Sequence, residues 1–237
     1  MPAAVSDGAR LADIPGGGWW WRRWASADIL AGITDRQVGA EALIGRLGQS
    51  PTAVRAEQVH GGSWAAVGAA RGMADPVPGC DALLTQMPGV ALLVRTADCL
   101  PIFFADATRG AVGLAHAGWR GLAAQLPARM VAAFRRVYHS PPEALTVAIG
   151  PAIRACCYEV GEEFDRRFGS HVQRRQGRRM CDLIAVAREQ LQRCGIAPSR
   201  IADSERCTAC EPQRWFSLRR EGPQTGRLVS VIMLRHT

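Results

Sequence analysis

Residues 95–121, RTADCLPIFFADATRGAVGLAHAGWRG, decide how this chain folds, because apolar runs alternate here with short polar or glycine-containing turns. The apolar run that leads up to Cys99 predicts one strand, and residues 102–105 and 111–115 predict the next two. Cys99 follows the first predicted strand, and His116 follows the last of them. The stretch therefore predicts that a thiol and an imidazole are presented at the ends of neighbouring strands.

A third candidate ligand lies upstream, at His60 in the segment EQVHGG. The glycines beside it let a ligand approach the backbone closely. Together with Cys99 and His116 it makes three ligands, which is one fewer than a closed tetrahedral site and the usual number in a catalytic zinc site. Zinc suits a thiolate with two imidazoles, and copper tolerates the same set. An open fourth position would let the metal acidify water or polarise a substrate oxygen.

The same residues also fit a cysteine-nucleophile hydrolase, with Cys99 as nucleophile, either histidine as base and Asp98 as the orienting acid. That interpretation leaves one histidine without a role. In a metal site, Asp98 would orient a ligand or hold a proton. The alternative is that Asp98 only caps a turn. Arg120 in GWRG carries a guanidinium suited to phosphate or carboxylate, or it caps a junction between strand and helix.

Length and composition are typical of a globular chain, with 237 residues of which 48% are hydrophobic. We find no internal repeat and no linker after residue 18, so we predict a flexible segment at residues 1–18 and a single domain at residues 19–237. No apolar run reaches the roughly 18 residues of a membrane span, and the N-terminal sequence lacks a secretory pattern. We expect a cytoplasmic protein that does not bind membranes.

The net charge of +8 comes entirely from arginine, because the sequence contains no lysine. The densest arginine run, residues 166–179, contains only one aromatic residue, Phe168. Surfaces that bind single-stranded nucleic acid usually interleave aromatic residues with basic ones. We therefore interpret the run as a solvated helix face and loop, and we expect no nucleic-acid partner.

Eight cysteines are many for a chain without a secretory pattern, which favours metal or catalytic use over a disulfide framework. Cys207-Thr-Ala-Cys210 is a lone C-x-x-C with no second C-x-x-C in the sequence. By itself it does not predict a structural zinc site.

Helical spacing of apolar residues predicts a long helix over residues 121–138. Further helices are predicted at residues 39–47, 161–168 and 183–193. Residues 216–220 and 228–234 predict a C-terminal hairpin whose final strand is central and buried.

Several motifs, taken in order, resemble those of the polyphenol-oxidase or laccase-domain family, which is also described as peptidoglycan editing factors and as purine nucleoside phosphorylases. The resemblance runs from about residue 53 to the C-terminus. The motifs are QVHG at 58–61, DALLT at 81–85, TADCLP at 96–101, HAGWRG at 116–121, IGPAIRACCYEVGEE at 149–163, and the tail with ERCTAC, WFSLRR and TGRLVSVIML. HAGWRG after TADCLP is the most specific part.

This resemblance implies an α+β fold, a single compact domain in which mixed β-sheets are layered with flanking helices. It implies a zinc ion held by His60, Cys99 and His116. It also implies phosphorolysis of adenosine, inosine, guanosine and methylthioadenosine, with adenosine deamination as a second activity. Purine nucleosides and phosphate would then be the partners, and the chain would be a monomer or a dimer.

The implied reactions assign roles to further residues. Phosphorolysis passes through an oxocarbenium-like sugar, as glycoside cleavage generally does, and Arg120 would hold the phosphate beneath the anomeric carbon. Deamination would use water activated by the metal, with Asp98 or Glu159 as the acid/base group. The predicted catalytic residues are therefore Cys99, Asp98, Arg120 and Glu159.

One segment departs from the family pattern. Members usually carry Arg-x-Gly-Gly-Val-Ser followed by Leu-Asn-Leu near the N-terminus, whereas this chain has AGITDRQVG at residues 31–39 and no asparagine anywhere. Arg36 is the candidate to replace the family arginine. Besides the cysteine-nucleophile hydrolase, two alternatives stay open, a copper-dependent polyphenol oxidase and a non-catalytic protein that binds nucleosides or metal. A mononuclear site with one cysteine does not supply the several coppers that four-electron reduction of oxygen requires.

Overall fold

The apolar runs of the sequence form the strands of two six-stranded β-sheets in the computed structural model of the protein, which describes residues 11–13, 18–21, 28–45, 52–68 and 75–235. In spatial order, the first sheet contains β1 (Leu11–Asp13), β2 (Trp19–Trp21), β3 (Ile29–Ile33), β14 (Leu228–Leu234), β7 (Val90–Thr96) and β4 (Thr52–Arg55). The pair β4 and β7 is parallel and the other neighbours are antiparallel, so the sheet is mixed.

The second sheet is also mixed. In spatial order it contains β13 (Ile201–Asp203), β10 (Thr146–Ile149), β8 (Leu100–Asp106), β9 (Ala111–Ala117), β6 (Ala82–Thr85) and β5 (Trp64–Ala66). Each of its two edge strands is parallel to its neighbour, and the inner strands are antiparallel to one another. A separate antiparallel hairpin is formed by β11 (Val172–Arg175) and β12 (Arg178–Cys181).

Six α-helices connect these strands within the described residues. They are α1 (Ala40–Gly45), α2 (Trp119–Ala123), α3 (Leu126–Tyr138), α4 (Glu163–Phe168), α5 (Leu183–Arg193) and α6 (Leu218–Glu221). Short 3₁₀ turns occur at Pro142–Ala144, Gly169–His171 and Pro198–Arg200.

The two sheets pack face to face, and helices cover their outer faces. Because side chains alternate between the faces of a strand, Leu83 and Phe103 of the second sheet point toward the first, where they meet Leu92 and other apolar side chains. The opposite face of the second sheet packs on α3, α4 and α5, and the outer face of the first packs on Leu43 of α1. The predicted α+β layering of mixed sheets and flanking helices is confirmed.

The long helix predicted over residues 121–138 is wrong in one respect, because the chain forms two helices there. The break is at Gln125, whose φ of 60° is left-handed and ends α2 before α3 begins. Pro127 then lies in the first turn of α3, where a proline costs no intrahelical hydrogen bond.

The C-terminal hairpin is a second wrong prediction. Residues 218–221 form α6, and the side chain of Ser217 accepts a hydrogen bond from the backbone amide of Arg220 at 3.2 Å as an N-terminal cap. The final strand, β14, pairs instead with β3 and β7. Its predicted central and buried position is confirmed.

The predicted boundary at residue 18 stays a prediction. Of residues 1–18 the structure describes the short strand β1, which pairs with β2, and Gly18. Residues 1–10 and 14–17 lie outside the described part of the chain. Among the helices that the structure describes, none is long and apolar enough to cross a membrane.

Gly113 lets α3 pack tightly on the middle of β9. A Cβ atom there would lie 2.8 Å from Cε2 of Phe134 and 3.0 Å from Cε of Met130. Since overpacking a buried contact strains the core, we expect Gly113→Ala to lower the free energy of unfolding by about 1–3 kcal/mol in chemical denaturation. Gly68→Ala is the control, because a Cβ atom there meets nothing within 4 Å. Equal effects of the two substitutions would contradict this packing.

Candidate metal centre

The structure brings His60, Cys99 and His116 together. Their ligand atoms all lie within 4.8 Å of one another. The two imidazole rings are nearly perpendicular, with an interplanar angle of 89° and centroids 4.8 Å apart. His116 is buried, Cys99 is half-buried and His60 is exposed, so the cluster opens to solvent on the His60 side.

Two crossings between the sheets carry His60 and Cys99. The chain leaves the first sheet at the end of β4 and enters the second at β5, and His60 lies in that connection. It crosses again between β7 and β8, where Cys99 lies. The antiparallel register of β8 and β9 pairs Leu100 with Ala117 and so places Cys99 at the same end of the sheet as His116.

A buried carboxylate, Asp81, holds both histidines in place. Its Oδ1 lies 2.9 Å from Nδ1 of His116 and accepts the backbone amide of His60 at 2.9 Å, while Oδ2 accepts the amide of Gly61 at 2.6 Å. These amide bonds fix His60 in a left-handed conformation with φ of 61°, which few residues other than glycine adopt. The contact with Nδ1 leaves Nε2 of His116 as the ligand atom.

The three groups also shift one another's ionisation. Burial raises the pKa of the Cys99 thiol, but hydrogen bonds and charges of His116 and His60 outweigh it and lower the pKa to about 7. Burial lowers the pKa of His116, yet Asp81 and Cys99 together raise it to about 9. The pKa of Asp81 lies below its usual range, because His116 and backbone amides overcome the effect of burial. At neutral pH a substantial fraction of Cys99 is therefore thiolate, the form that binds metals.

Two glycines leave room for the close contacts at the centre. A Cβ atom on Gly118 would lie 2.9 Å from Sγ of Cys99, and one on Gly121 would lie 3.1 Å from the carbonyl oxygen of Gly61. A larger residue at position 118 would therefore displace the Cys99 sulfur, and one at position 121 would require a small shift of the Gly61 carbonyl.

Asp98, next to Cys99, is tied to the C-terminal part of the chain. Its Oδ1 accepts the Thr208 hydroxyl at 2.6 Å, and its Oδ2 accepts the backbone amide of Arg219 at 2.7 Å. Its φ of 90° is left-handed, and its side chain is buried. These contacts fix the connection that carries Cys99. The predicted role in proton transfer stays a prediction.

The two other predicted catalytic residues are exposed. Arg120 stacks over the ring of Trp119 with its guanidinium carbon 4.5 Å from the centroid, and it forms no ion pair with any residue that the structure describes. The Glu159 carboxylate faces Arg178 of the hairpin, with Oε2 3.7 Å from the guanidinium. The structure therefore leaves Arg120 available to an anion and directs Glu159 toward the hairpin.

Arg36, the candidate replacement for the family arginine, packs on the C-terminal segment. Its guanidinium carbon lies 4.5 Å from the centre of the Phe216 ring, and it pairs with Glu221. Its Nε also donates to the carbonyl oxygen of Trp215 at 3.2 Å.

Sequence reasoning did not give Asp81 a role, although the motif DALLT begins with it. A usable signal was present, because a carboxylate directly before the apolar run Ala82–Leu84 must find hydrogen-bond donors when it is buried. The sequence did not show which donors, since His116 is 35 residues away.

The lone pair Cys207 and Cys210 does have partners in space. Cys156 and Cys157 lie beside it, and the four sulfur atoms are within 4.8 Å of one another. The sequence motif did not reveal this partner pair, because it is made of adjacent cysteines and lacks the C-x-x-C spacing.

Residues 33–235 match the sequence profile of the family described as multi-copper polyphenol oxidoreductase laccase. The chain belongs to this family. Members that it resembles include the purine nucleoside phosphorylase YlmD of Geobacillus stearothermophilus, which is 39% identical over 191 residues, covering 74% of this chain and 70% of YlmD. The adenosine deaminase RL5, from an unknown prokaryotic organism, is 34% identical over 163 residues, covering 65% of this chain and 62% of RL5.

The fold agrees with a solved member of the family. The crystal structure of YlmD from Geobacillus stearothermophilus superposes with a TM-score of 0.89 at 32% identity, covering 95% of this chain and 99% of that one. In sequence, the matched region spans 60% to 70% of the length of the first curated relatives. These similarities support an enzyme of the kind that the relatives' names describe.

Asp81→Asn tests whether the carboxylate sets the metal affinity. An asparagine cannot accept all three hydrogen bonds, so we expect zinc affinity to fall about 10- to 100-fold, as measured by competition with a chelator. Asp106→Asn is the matched control, because Asp106 is a buried carboxylate at the far end of β8 that accepts the amides of Thr108 and Arg109. An unchanged affinity in Asp81→Asn would show that the carboxylate does not position the ligands.

Proposed function

We propose that the protein is a zinc-dependent purine nucleoside phosphorylase that also deaminates adenosine. The observation that carries this proposal is the convergence of His60, Cys99 and His116 on one point open to solvent, in a chain whose relatives are named for these two activities. Purine nucleosides and inorganic phosphate are the proposed substrates.

The donor set fits zinc. Two imidazoles and a thiol whose pKa is close to 7 are ligands that zinc accepts, and three of them leave one position open. When bound, zinc would supply Lewis acidity, which polarises a substrate oxygen or acidifies water. Copper tolerates the same donors, so the donor set alone favours zinc without excluding copper.

Arg120 is the proposed phosphate ligand. It lies in the first turn of α2, two residues after Gly118, which packs against the Cys99 sulfur. Its side chain is exposed, and none of the described acidic residues pairs with it. Stacking on Trp119 restricts the guanidinium, so that less side-chain entropy is lost when an anion binds. A guanidinium can donate two parallel hydrogen bonds to phosphate oxygens.

Asp98 and Glu159 are the proposed proton carriers for deamination. Asp98 is adjacent to Cys99, but both of its carboxylate oxygens already accept hydrogen bonds. Each of these oxygens keeps a second lone pair that could take up a proton. Glu159 is exposed to solvent, but its carboxylate faces Arg178.

A cysteine-nucleophile hydrolase is the second candidate, and a specific contact favours it. Cys99, His116 and Asp81 form a connected thiol–imidazole–carboxylate series, in which Asp81 takes the orienting role first considered for Asp98. This arrangement gives His60 no function. Stripping the metal with a chelator distinguishes the two, because a hydrolase of this type needs no metal and the phosphorylase does.

The decisive assay incubates the zinc-loaded protein with adenosine, with and without phosphate, and separates the products by chromatography. Adenine that forms only with phosphate supports phosphorolysis, and inosine without phosphate supports deamination. We expect Cys99→Ser to reduce both to background, while Cys194→Ser, a half-buried thiol outside both cysteine-containing clusters, keeps them. If the zinc-loaded protein forms neither product, the proposed function is wrong.

Arg120→Ala separates phosphate binding from the rest of the reaction. Loss of a charged hydrogen-bond donor worth about 1.5–3 kcal/mol should raise the KM for phosphate about 10- to 100-fold. Deamination needs no phosphate and should keep its rate within about twofold, since no such bond is lost there. Arg135→Ala, an exposed arginine of α3, is the control and should change neither activity. An unchanged KM in Arg120→Ala would remove this residue from the phosphate site.

A further inference from the structure

Four cysteine sulfurs form a second cluster, which shares no residue with the cluster of His60, Cys99 and His116. They belong to two short segments, the adjacent pair Cys156 and Cys157 and the pair Cys207 and Cys210. All four sulfur atoms lie within 4.8 Å of one another. Sγ of Cys210 is 3.5 Å from that of Cys156 and 3.3 Å from that of Cys157.

The fold holds the two segments side by side. Ala152 and Cys207 form a parallel β-bridge, in which the amide of Ala152 donates to the carbonyl of Arg206 at 3.3 Å and the amide of Thr208 donates to the carbonyl of Ala152 at 3.1 Å. Arg154 adds a two-pronged ion pair with Asp203, with both distances 2.9 Å. The meeting of the two pairs is therefore part of the backbone architecture.

The sulfur geometry suits a metal ion better than a disulfide. Sulfurs of a disulfide lie about 2.05 Å apart, whereas four thiolates around zinc at about 2.3 Å lie about 3.8 Å apart at the corners of a tetrahedron. The separations of 3.3 Å and 3.5 Å, with none above 4.8 Å, fall around the tetrahedral value. Cys210 is nearly equidistant from both adjacent cysteines, whereas a disulfide would select one of them.

Backbone amides surround the Cys207 sulfur. The amides of Arg154, Ala209 and Cys210 lie near it. The turn of the C-x-x-C segment is closed by the amide of Cys210, which donates to the carbonyl of Cys207 at 3.2 Å. Amides beside a thiolate ligand stabilise and orient it, as the polar surroundings of metal ligands generally do.

Arg220 stabilises the same turn of the C-x-x-C segment by hydrogen bonds to its carbonyl groups. Nη1 of Arg220 donates to the carbonyl of Thr208 at 2.6 Å and to that of Ala209 at 2.9 Å. The Cys210 amide is bound to the Cys207 carbonyl, and the carbonyls of Thr208 and Ala209 are bound to Arg220. The backbone of the turn is therefore fixed in the orientation that presents both thiols.

We propose that Cys156, Cys157, Cys207 and Cys210 bind one zinc ion in a closed structural site, separate from the three-ligand centre. Four protein thiolates fill the tetrahedral shell and leave no position for substrate or water. Thiolate ligands select zinc, iron or copper(I) over the hard cations magnesium and calcium, and the tetrahedral four-sulfur set fits zinc.

The position of Thr208 gives the site a consequence for the catalytic centre. Thr208 lies between Cys207 and Cys210, and its hydroxyl donates to Asp98, the residue before Cys99. The closed zinc site therefore fixes the turn that anchors the connection carrying a ligand of the open site. Losing the closed site should loosen this anchor and weaken metal binding at the open site several-fold.

The primary test counts metal in the full-length protein, purified with a reductant and loaded with zinc, by mass spectrometry of the elements. We expect two zinc ions per chain in the natural protein and one each in Cys99→Ser and in the double variant Cys156→Ser with Cys210→Ser. Cys194→Ser, a half-buried cysteine outside both clusters, should keep two. This count does not depend on the enzyme's substrate, so it succeeds or fails independently of the proposed function.

Cobalt(II) substitution in Cys99→Ser identifies the ligands without touching the four cysteines, so it remains valid if the double variant does not fold. The expected absorption is that of tetrahedral cobalt with four thiolates, with intense sulfur-to-metal charge transfer. The proposal would be overturned if the natural protein bound one zinc ion per chain and Cys99→Ser bound none. Iron in place of zinc would also overturn it, as would a disulfide among these cysteines in the zinc-loaded, reduced protein by intact mass.

Discussion

The buried carboxylate of Asp81 is the constraint on which the metal centre depends. Burying a charged group is costly unless it is fully hydrogen-bonded, and Asp81 meets this requirement with the His116 imidazole and the amides of His60 and Gly61. The same bonds hold His60 in its left-handed conformation and direct His116 toward Cys99. One carboxylate thus satisfies its own need for donors and orients two of the three ligands.

The two-sheet architecture explains why the ligands meet at all. The chain crosses twice from the first sheet to the second, between β4 and β5 and between β7 and β8, and each crossing carries one ligand. Because β4 and β7 are parallel neighbours, both crossings leave the first sheet at the same end. The register of β8 and β9 then adds His116, and Gly118 admits the Cys99 sulfur.

The C-terminal segment supports this centre from the other side. Thr208 and the amide of Arg219 occupy the Asp98 carboxylate, which keeps the connection before Cys99 in an unusual backbone conformation. Strained backbone of this kind persists only where surrounding contacts determine it. Two of the four clustered cysteines, Cys207 and Cys210, lie in the same segment, so the two candidate metal sites share a structural support. The open site thus depends on a residue 110 positions from Asp98 in the sequence.

The sequence by itself determined the candidate ligands His60, Cys99 and His116, the buried strands β7 to β9 and most helices, because strand ends, glycines and apolar periodicity are local signals. Tertiary structure alone decided the rest. The Asp81–His116 contact spans 35 residues and the Cys156–Cys210 contact spans 54, and contacts at such separations leave no periodic pattern. The final strand was recognisable as buried, but only the folded sheet placed β14 between β3 and β7, since strand pairing depends on which edges remain available when the layers pack.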